Sequence, residues 1–272
     1  MDLAQNNTAS REVIGLIPAA GTASRIAPLP CSKELYPLGF RSVDSDGSMR
    51  PKVVSHYLLE KMRLANIKKA FIILREGKWD IPAYLGDGKM LDMNIAYLMM
   101  DVPFGAPFTL DQAYPFVQDA LVALGFPDIM IEPDEVYKKL LLKQAETDAE
   151  IVLGLFPAGN PHKTDMVELD DNGRIRALHI KPEQTQLTYT WQIAVWTPVF
   201  THYMHDYLSA KKMLNNQHQT ELFVGDVIQA AIQANMHIES VLFTDGNCLD
   251  IGTPEDLMRA VEMNNKILKE LL

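Results

Sequence analysis

The sequence predicts an α/β fold: a three-layer, Rossmann-like, mostly parallel sheet with helices on both faces and a small β-rich subdomain in the second half. Three observations carry this. Continuous apolar runs such as Val13-Ile14-Gly15-Leu16-Ile17 and Ile151-Val152-Leu153-Gly154-Leu155 read as strands buried on both faces. Segments with apolar residues at helical spacing alternate with such runs through the first half. From Met166 to Tyr189 the pattern changes to alternation around Asp171-Asn172-Gly173, a hairpin turn signal.

The elements follow in order. The first strand, Val13 to Pro18, runs straight into the small-residue loop Ala19-Ala20-Gly21-Thr22-Ala23-Ser24-Arg25. Residues 40 to 51, with Asp44, Ser45, Asp46, Gly47 and Ser48, read as a polar surface loop. Val53 to Ala65 reads as a helix, Lys69 to Leu74 as a strand and Asn94 to Met99 as another. Leu110 to Leu124 looks helical, and Pro127 to Ile131 reads as a fourth strand. Val136 to Thr147 is a helix and Ala149 to Phe156 a strand. After the hairpin come a strand from Trp191 to Phe200, a helix from Gly225 to Gln233, and short strands at Ile238 to Phe243 and Cys248 to Ile251. Pro254 to Leu271 is a closing amphipathic helix, with Thr253 as its N-cap.

Composition narrows the function classes. The 272 residues carry 25 Lys plus Arg against 35 Asp plus Glu, a net charge of −10, which argues against nucleic acid or an anionic membrane as partner. At this length a chain buries roughly 75% of its unfolded surface, so the core needs no staples. Two cysteines, Cys31 and Cys248, cannot build a disulfide framework, which predicts a reduced, cytoplasmic setting. The polar stretch Met1 to Arg11 lacks the apolar segment of a signal peptide, and no apolar run approaches a membrane span. The seven histidines share no ligand spacing.

In a doubly wound sheet the ligand crevice lies at the carboxyl ends of the strands, where the notable polar residues fall. Small residues after the first strand let backbone N–H groups approach an anion, and Arg25 and Lys33 follow to balance its charge. That suits a polyphosphate, although a plain strand-to-helix turn reads the same way. The loop is neither a P-loop nor a dinucleotide fingerprint. Asp128 and Asp250 are carboxylates at strand ends, hard-oxygen donors of the kind Mg²⁺ takes; a turn residue and a carboxylate bonded to the closing helix are their plainer readings. Pro182 predicts an extended backbone for Lys181, projecting its side chain from a strand end. A solvated lysine is the commoner reading of an isolated Lys-Pro.

Taken in order, these segments resemble the sugar-phosphate nucleotidyltransferases, above all glucose-1-phosphate thymidylyl- and uridylyltransferases. Leu16 to Pro28 is similar to the family's nucleotide-binding signature, and Ser32-Lys33-Glu34-Leu35 to the step that follows it. Leu85-Gly86-Asp87-Gly88, Pro103-Phe104-Gly105, Pro127-Asp128, Lys181-Pro182, Glu221-Leu222 with Gly225-Asp226-Val227-Ile228, and Leu249-Asp250-Ile251-Gly252-Thr253-Pro254 resemble its later motifs. The resemblance spans residues 13 to 265. It implies one nucleotidyltransferase domain over 1–272: 12–160 mainly nucleotide-binding, 161–250 mainly acceptor-binding and β-rich, 251–272 the closing helix.

The resemblance also implies roles. Ala19, Ala20, Gly21, Thr22, Ala23, Ser24 and Gly105 would contact the nucleotide. Arg25 and Lys33 would hold the triphosphate, Asp128 and Asp250 a Mg²⁺ ion, and Lys181, beside Trp191, the acceptor phosphate. An NTP and a small phosphorylated acceptor would give an NDP-activated product and pyrophosphate. A homo-oligomer is suggested, and the absence of hexapeptide repeats predicts no acetyltransferase part.

Departures from the pattern bear on the acceptor. Ala23 stands where the family has glycine, so its methyl requires a negative φ or a phosphate set further out. Ile180 replaces a sugar-contacting glutamate, Met100-Asp101 falls where a base-reading glutamine is expected, and the Trp191 strand lacks a glycine. These changes disfavour glucose 1-phosphate and point to another sugar phosphate, a phosphorylated alcohol or a phosphonate. Two other readings compete: a glycosyltransferase using the adjacent pair Asp170-Asp171, and a non-catalytic nucleotide-binding regulator.

Overall fold

A computed structural model describes residues 11–42, 47–101, 104–214 and 221–271. The chain runs β1 (Val13–Pro18), β2 (Pro37–Ser42), β3 (Met49–Val53), α1 (Val54–Leu64), β4 (Lys69–Arg75), α2 (Asp80–Leu85), β5 (Asn94–Met100), α3 (Ala106–Asp111), α4 (Tyr114–Val117), β6 (Leu121–Leu124) and β7 (Ile129–Glu132). It continues with α5 (Val136–Thr147), β8 (Ile151–Pro157), β9 (Met166–Leu169), β10 (Ile175–His179), β11 (Tyr189–Trp196), α6 (Pro198–Leu214), α7 (Val224–Gln233), β12 (Ile238–Leu242), β13 (Asn247–Asp250) and α8 (Pro254–Leu271).

One large sheet organises these elements, in the order β10-β9-β11-β6-β1-β4-β5, with β8 also paired to β11 and β12 to β8. Its heart is parallel: β1 lies between β4 and β6, with Leu16 opposite both Phe71 and Leu124. The strands alternate between two cores, as a period of two requires. Ile17, Ile72 and Leu74 pack with Leu58, Leu59 and Met62 of α1 and Val136, Tyr137 and Leu140 of α5. Ile14, Leu16 and Ile73 pack on the other face with Phe108 of α3, Phe200 and Met204 of α6 and Val227 and Ile228 of α7. The three expected layers are therefore present, and the β-rich second half continues the same sheet. No helix among the described residues is long and apolar enough to cross a membrane.

Several boundaries differ from expectation. The stretch 40–51 is not simply a loop: β2 and β3 pair antiparallel, Phe40 facing Pro51 and Ser42 facing Met49, while Asp44, Ser45 and Asp46 lie outside the described residues. Leu110 to Leu124 is not one helix. Two short helices end at Asp111 and Val117, and Leu121–Leu124 enters the sheet beside β1, where its mostly buried residues serve both faces of the core. Ile129–Glu132 is a strand but leaves the main sheet to pair with β13. The run after Trp196 turns into the 17-residue helix α6 at Pro198, a favourable first helical position. The Asp171-Asn172-Gly173 turn forms as read, with Gly173 at φ 76° and Asp170 accepting from the N–H groups of Asn172 and Arg174, each at 2.9 Å. Asp170 thus serves its own turn.

Candidate functional site

Three cavities open along the carboxyl edge of the parallel strands and meet at one ion pair, Lys33 with Asp128. Lys33 opens a short 3-10 turn, Lys33–Leu35, and reaches Asp128 in the turn after β6. Burial works against the Lys33 charge, but Asp128, then Asp250 and Glu34, outweigh it and hold the ammonium pKa above its usual value.

Strand pairing brings the second carboxylate in. β7 and β13 are antiparallel with Asp250 opposite Ile129, and Ile251 N–H donates to the Asp128 carbonyl at 3.1 Å. Burial first, and the neighbouring Asp128 second, push the Asp250 carboxyl up to about 6, against Lys33 and Arg25. Arg25 arrives from the β1 loop: a Cβ on Gly252 would stand 3.0 Å from its Nη2 and 3.0 Å from Asp250 Oδ1. Arg25, Lys33, Asp128 and Asp250, up to 225 positions apart in the chain, therefore share one locus.

The loop itself is pinned where it leaves the sheet. Ala19 N–H donates to the Ile73 carbonyl at 2.8 Å, and Ala19 and Ala20 are buried. Gly21 and Thr22 are exposed at the crevice, Ser24 is exposed but lines none of the three cavities, and the Ala23 carbonyl accepts from the N–H groups of Ile26 and Ala27, both at 3.1 Å. Ala23 has φ +53°, the left-handed region, so the negative φ is not adopted and the methyl occupies a conformation suited to glycine. Gly105, at φ +113°, closes the opposite wall of a cavity of about 320 Å³ that also holds Ala20, Gly21, Thr22, Lys33 and Asp128. A Cβ there would overlap the Leu222 carbonyl, with Leu222 N 3.0 Å away. Pro103 lies outside the described residues.

On the far side of Asp128 lies a cavity of about 200 Å³ lined by Phe126, Asp165, Lys181, Trp191, Phe223 and Asp250, among others. Lys181 is not extended: its φ is +41°, despite the following proline, a conformation that costs a non-glycine residue roughly 1–3 kcal/mol. Tertiary contacts hold it there. Its Nζ sits 3.5 Å from the centroid of the Phe223 ring, and Asp165 lies close enough to attract it. Trp191 is buried, its ring 6.3 Å from that of Phe126.

Nothing local in the sequence marks Asp165. Burial raises its carboxyl to about 6; Lys181 pulls it down and Asp226 pushes it up. The Trp191 indole N–H and the Lys181 backbone N–H also reach toward this carboxylate and pull it down, although Asp165 Oδ1 and the indole nitrogen, both buried, do not close a full hydrogen bond. The partner of Glu34 was equally hidden: Lys78 Nζ donates to both Glu34 carboxylate oxygens, at 2.6 and 2.8 Å, in a pair exposed by only 5% and 3%. Both cysteines are half-buried and unpaired. Among the described residues no group of three or more His, Cys, Asp or Glu side chains is placed to hold a metal.

Comparison with known proteins agrees with this geometry. Residues 14–267 match the nucleotidyl transferase family. The chain is 25% identical over 261 residues to the low-salt glycan biosynthesis nucleotidyltransferase Agl11 of Haloferax volcanii, covering 94% of this chain and 68% of that protein. It is 24% identical over 258 residues to a glucose-1-phosphate thymidylyltransferase of Streptomyces griseus, covering 93% and 66%. A crystal structure from Bacillus anthracis, assigned as a glucose-1-phosphate thymidylyltransferase and solved with sucrose, superposes with a TM-score of 0.76 at 20% identity over 93% of this chain and 95% of that one, a likeness of fold. The chain spans about two thirds of the length of the Haloferax and Streptomyces relatives. It belongs to the nucleotidyl transferase family.

Proposed function

We propose that the protein condenses a nucleoside triphosphate with a small phosphorylated acceptor, releasing pyrophosphate. The observation that carries this reading is the meeting of Lys33, Asp128 and Asp250, with Arg25 beside Asp250, where two cavities adjoin, one walled by the β1 loop and Gly105, the other by Lys181 and Trp191. Residues 12–160 supply most of the nucleotide side and 161–250 most of the acceptor side.

In the reaction an acceptor phosphate oxygen attacks the α-phosphorus in line. A new P–O bond forms, the bond to the bridging oxygen breaks, and its electron pair leaves with pyrophosphate. The acceptor oxygen is already ionised, so no general base is needed. Backbone N–H groups of residues 20–24 would face the phosphates, the Ala19 N–H being held by the Ile73 carbonyl, while Arg25 and Lys33 balance their charge and Lys181 orients the acceptor phosphate. Its attachment over Phe223 and its fixed backbone hold the ammonium in place, which is positioning in the sense that lowers an association barrier.

The donor set suits Mg²⁺. The β7–β13 pairing brings Asp128 and Asp250 to the lining of one cavity, and one or two carboxylates completed by phosphate oxygens and water is the usual Mg²⁺ arrangement. Asp128 and Asp250 would hold the ion, with Lys33 releasing Asp128 to it; when bound, the ion neutralises charge on the phosphates. Asp165 and the buried Trp191 line the acceptor cavity while Ile180 packs against Gly225, and we read this wall, with the departures from the family pattern, as favouring another phosphate or phosphonate over glucose 1-phosphate.

Pyrophosphate release with Mg²⁺ tests this, with CTP, UTP, dTTP, ATP and GTP each set against glucose 1-phosphate, other sugar phosphates, phosphocholine and small phosphonates. One matched pair is expected, and Asp128→Asn should remove most of its turnover with the fold preserved. A folded Asp128→Asn protein with full turnover would sink the assignment. Absence of nucleotide binding would sink the whole reading.

A further inference from the structure

We propose that Arg75 forms, with Lys33, a binding site for the pyrophosphate leaving group in the third cavity, between residues 22–33 and the end of β4. The proposal rests on the nucleotidyl-transfer reading above and adds a residue and a subsite to it.

Placement comes first. The third cavity, about 440 Å³, is lined by Thr22, Ala23, Ser32, Lys33, Arg75 and Lys78, among others. It shares Thr22 and Lys33 with the nucleotide-side cavity and no residue with the acceptor cavity. In-line displacement puts the incoming and departing oxygens on opposite sides of phosphorus. A leaving group expelled away from Lys181 and Trp191 therefore moves past Lys33 into this space. Arg75 ends β4, which is hydrogen-bonded to β1 and through Ile73 to the start of the loop, so the guanidinium is carried at the same sheet edge as the phosphate loop.

Charge supplies the second argument. The other charged groups around this cavity are already engaged. Lys78 is bound by the buried Glu34, Lys33 by Asp128, and Asp80 accepts from Ser32 N–H at 2.6 Å and Ser32 Oγ at 2.7 Å. Arg75 differs. Among the described residues no carboxylate lies within ion-pair distance of it, its Nε is buried without a hydrogen bond, and of its nitrogens Nη1 alone is used, donating to the Glu76 carbonyl at 2.9 Å. A buried donor left open is costly unless a ligand takes it. The planar guanidinium fork matches two oxygens of a phosphate group. Lys33, shared by both cavities, would stay with the phosphates as they cross.

The test uses inorganic pyrophosphate and Mg²⁺ on the full chain, by calorimetry, with wild type, Arg75→Ala and Arg75→Lys. Arg75→Ala is expected to weaken pyrophosphate binding about 10- to 100-fold, the loss of a charge-assisted hydrogen-bond pair. Arg75→Lys should recover part of it, and neither variant should alter binding of the nucleoside monophosphate. An Arg75→Ala protein that binds pyrophosphate as the wild type does overturns the proposal. So does an equal loss of monophosphate affinity, or a wild type that binds a triphosphate but no pyrophosphate. A wild type that binds no triphosphate overturns the functional reading instead.

Discussion

The Asp165 carboxylate rests on the Cα of Gly225: a Cβ at 225 would overlap Oδ2 and stand 2.5 Å from Ile180 Cδ1. Through this contact α7 sets the depth of Asp165 in the acceptor cavity, beside the Lys181 whose backbone is strained. Gly225→Ala would ordinarily favour a helix by about 1 kcal/mol. Here it is expected to destabilise by about 1–3 kcal/mol through overpacking, and to raise KM for the acceptor while leaving triphosphate affinity unchanged. Adding Asp165→Ala should relieve the clash, and denaturant unfolding of the four-member cycle measures it. Additive losses would show that the two residues do not press on each other.

Asp165 also predicts a pH effect. Its folded pKa of about 6 lies above the unfolded value, so the folded state holds the proton longer. The contribution to stability is complete below about pH 4 and is lost as pH rises through 6. Asp165→Asn should therefore gain on the wild type between pH 4 and 7, by about 1–3 kcal/mol once partial exposure is allowed for. Urea midpoints at pH 4, 5, 6 and 7 check this; a constant difference between the two proteins would contradict it.

Ala23 carries its methyl at φ +53°, a backbone region that disfavours a Cβ. Ala23→Gly removes that penalty and adds chain entropy to the unfolded state, leaving a net gain of up to about 1 kcal/mol. It also clears the methyl from the phosphate loop, so triphosphate affinity should rise or hold. Calorimetry and thermal unfolding on the same preparation report both. A loss of stability would mean that the loop is not strained at this residue.

The Glu34–Lys78 pair is nearly solvent-free, and Glu34 immediately follows Lys33. Lys78→Met strands a buried carboxylate whose pKa burial already raises, and should cost about 3–5 kcal/mol. Glu34→Gln in the same chain should return most of that, because the uncompensated charge is gone. If the double variant is as unstable as the single one, the lysine contributes through packing rather than charge.

Local chemistry is what the sequence by itself determined. The run Val13 to Pro18 had to be a buried strand, and small residues followed it; Thr253-Pro254 had to open a helix, and Thr253 Oγ1 does bond Asp256, at 2.6 Å. These are properties of neighbours in the chain, as is the Asp171-Asn172-Gly173 turn. Tertiary structure decided what neighbours could not. Leu121–Leu124 and Pro198–Leu214 depend on which surface they cover, so local pattern predicts a helix where the strand Leu121–Leu124 forms and leaves the helix Pro198–Leu214 unmarked. Lys181 adopts a positive φ against its proline because Phe223 and Asp165, 42 and 16 positions away, hold its side chain. Asp128 and Asp250 become neighbours only through the β7–β13 pairing. Arg75, Lys78 and Asp165 carry no local mark, because burial and an opposed charge are what set them apart, and both come from residues distant in sequence.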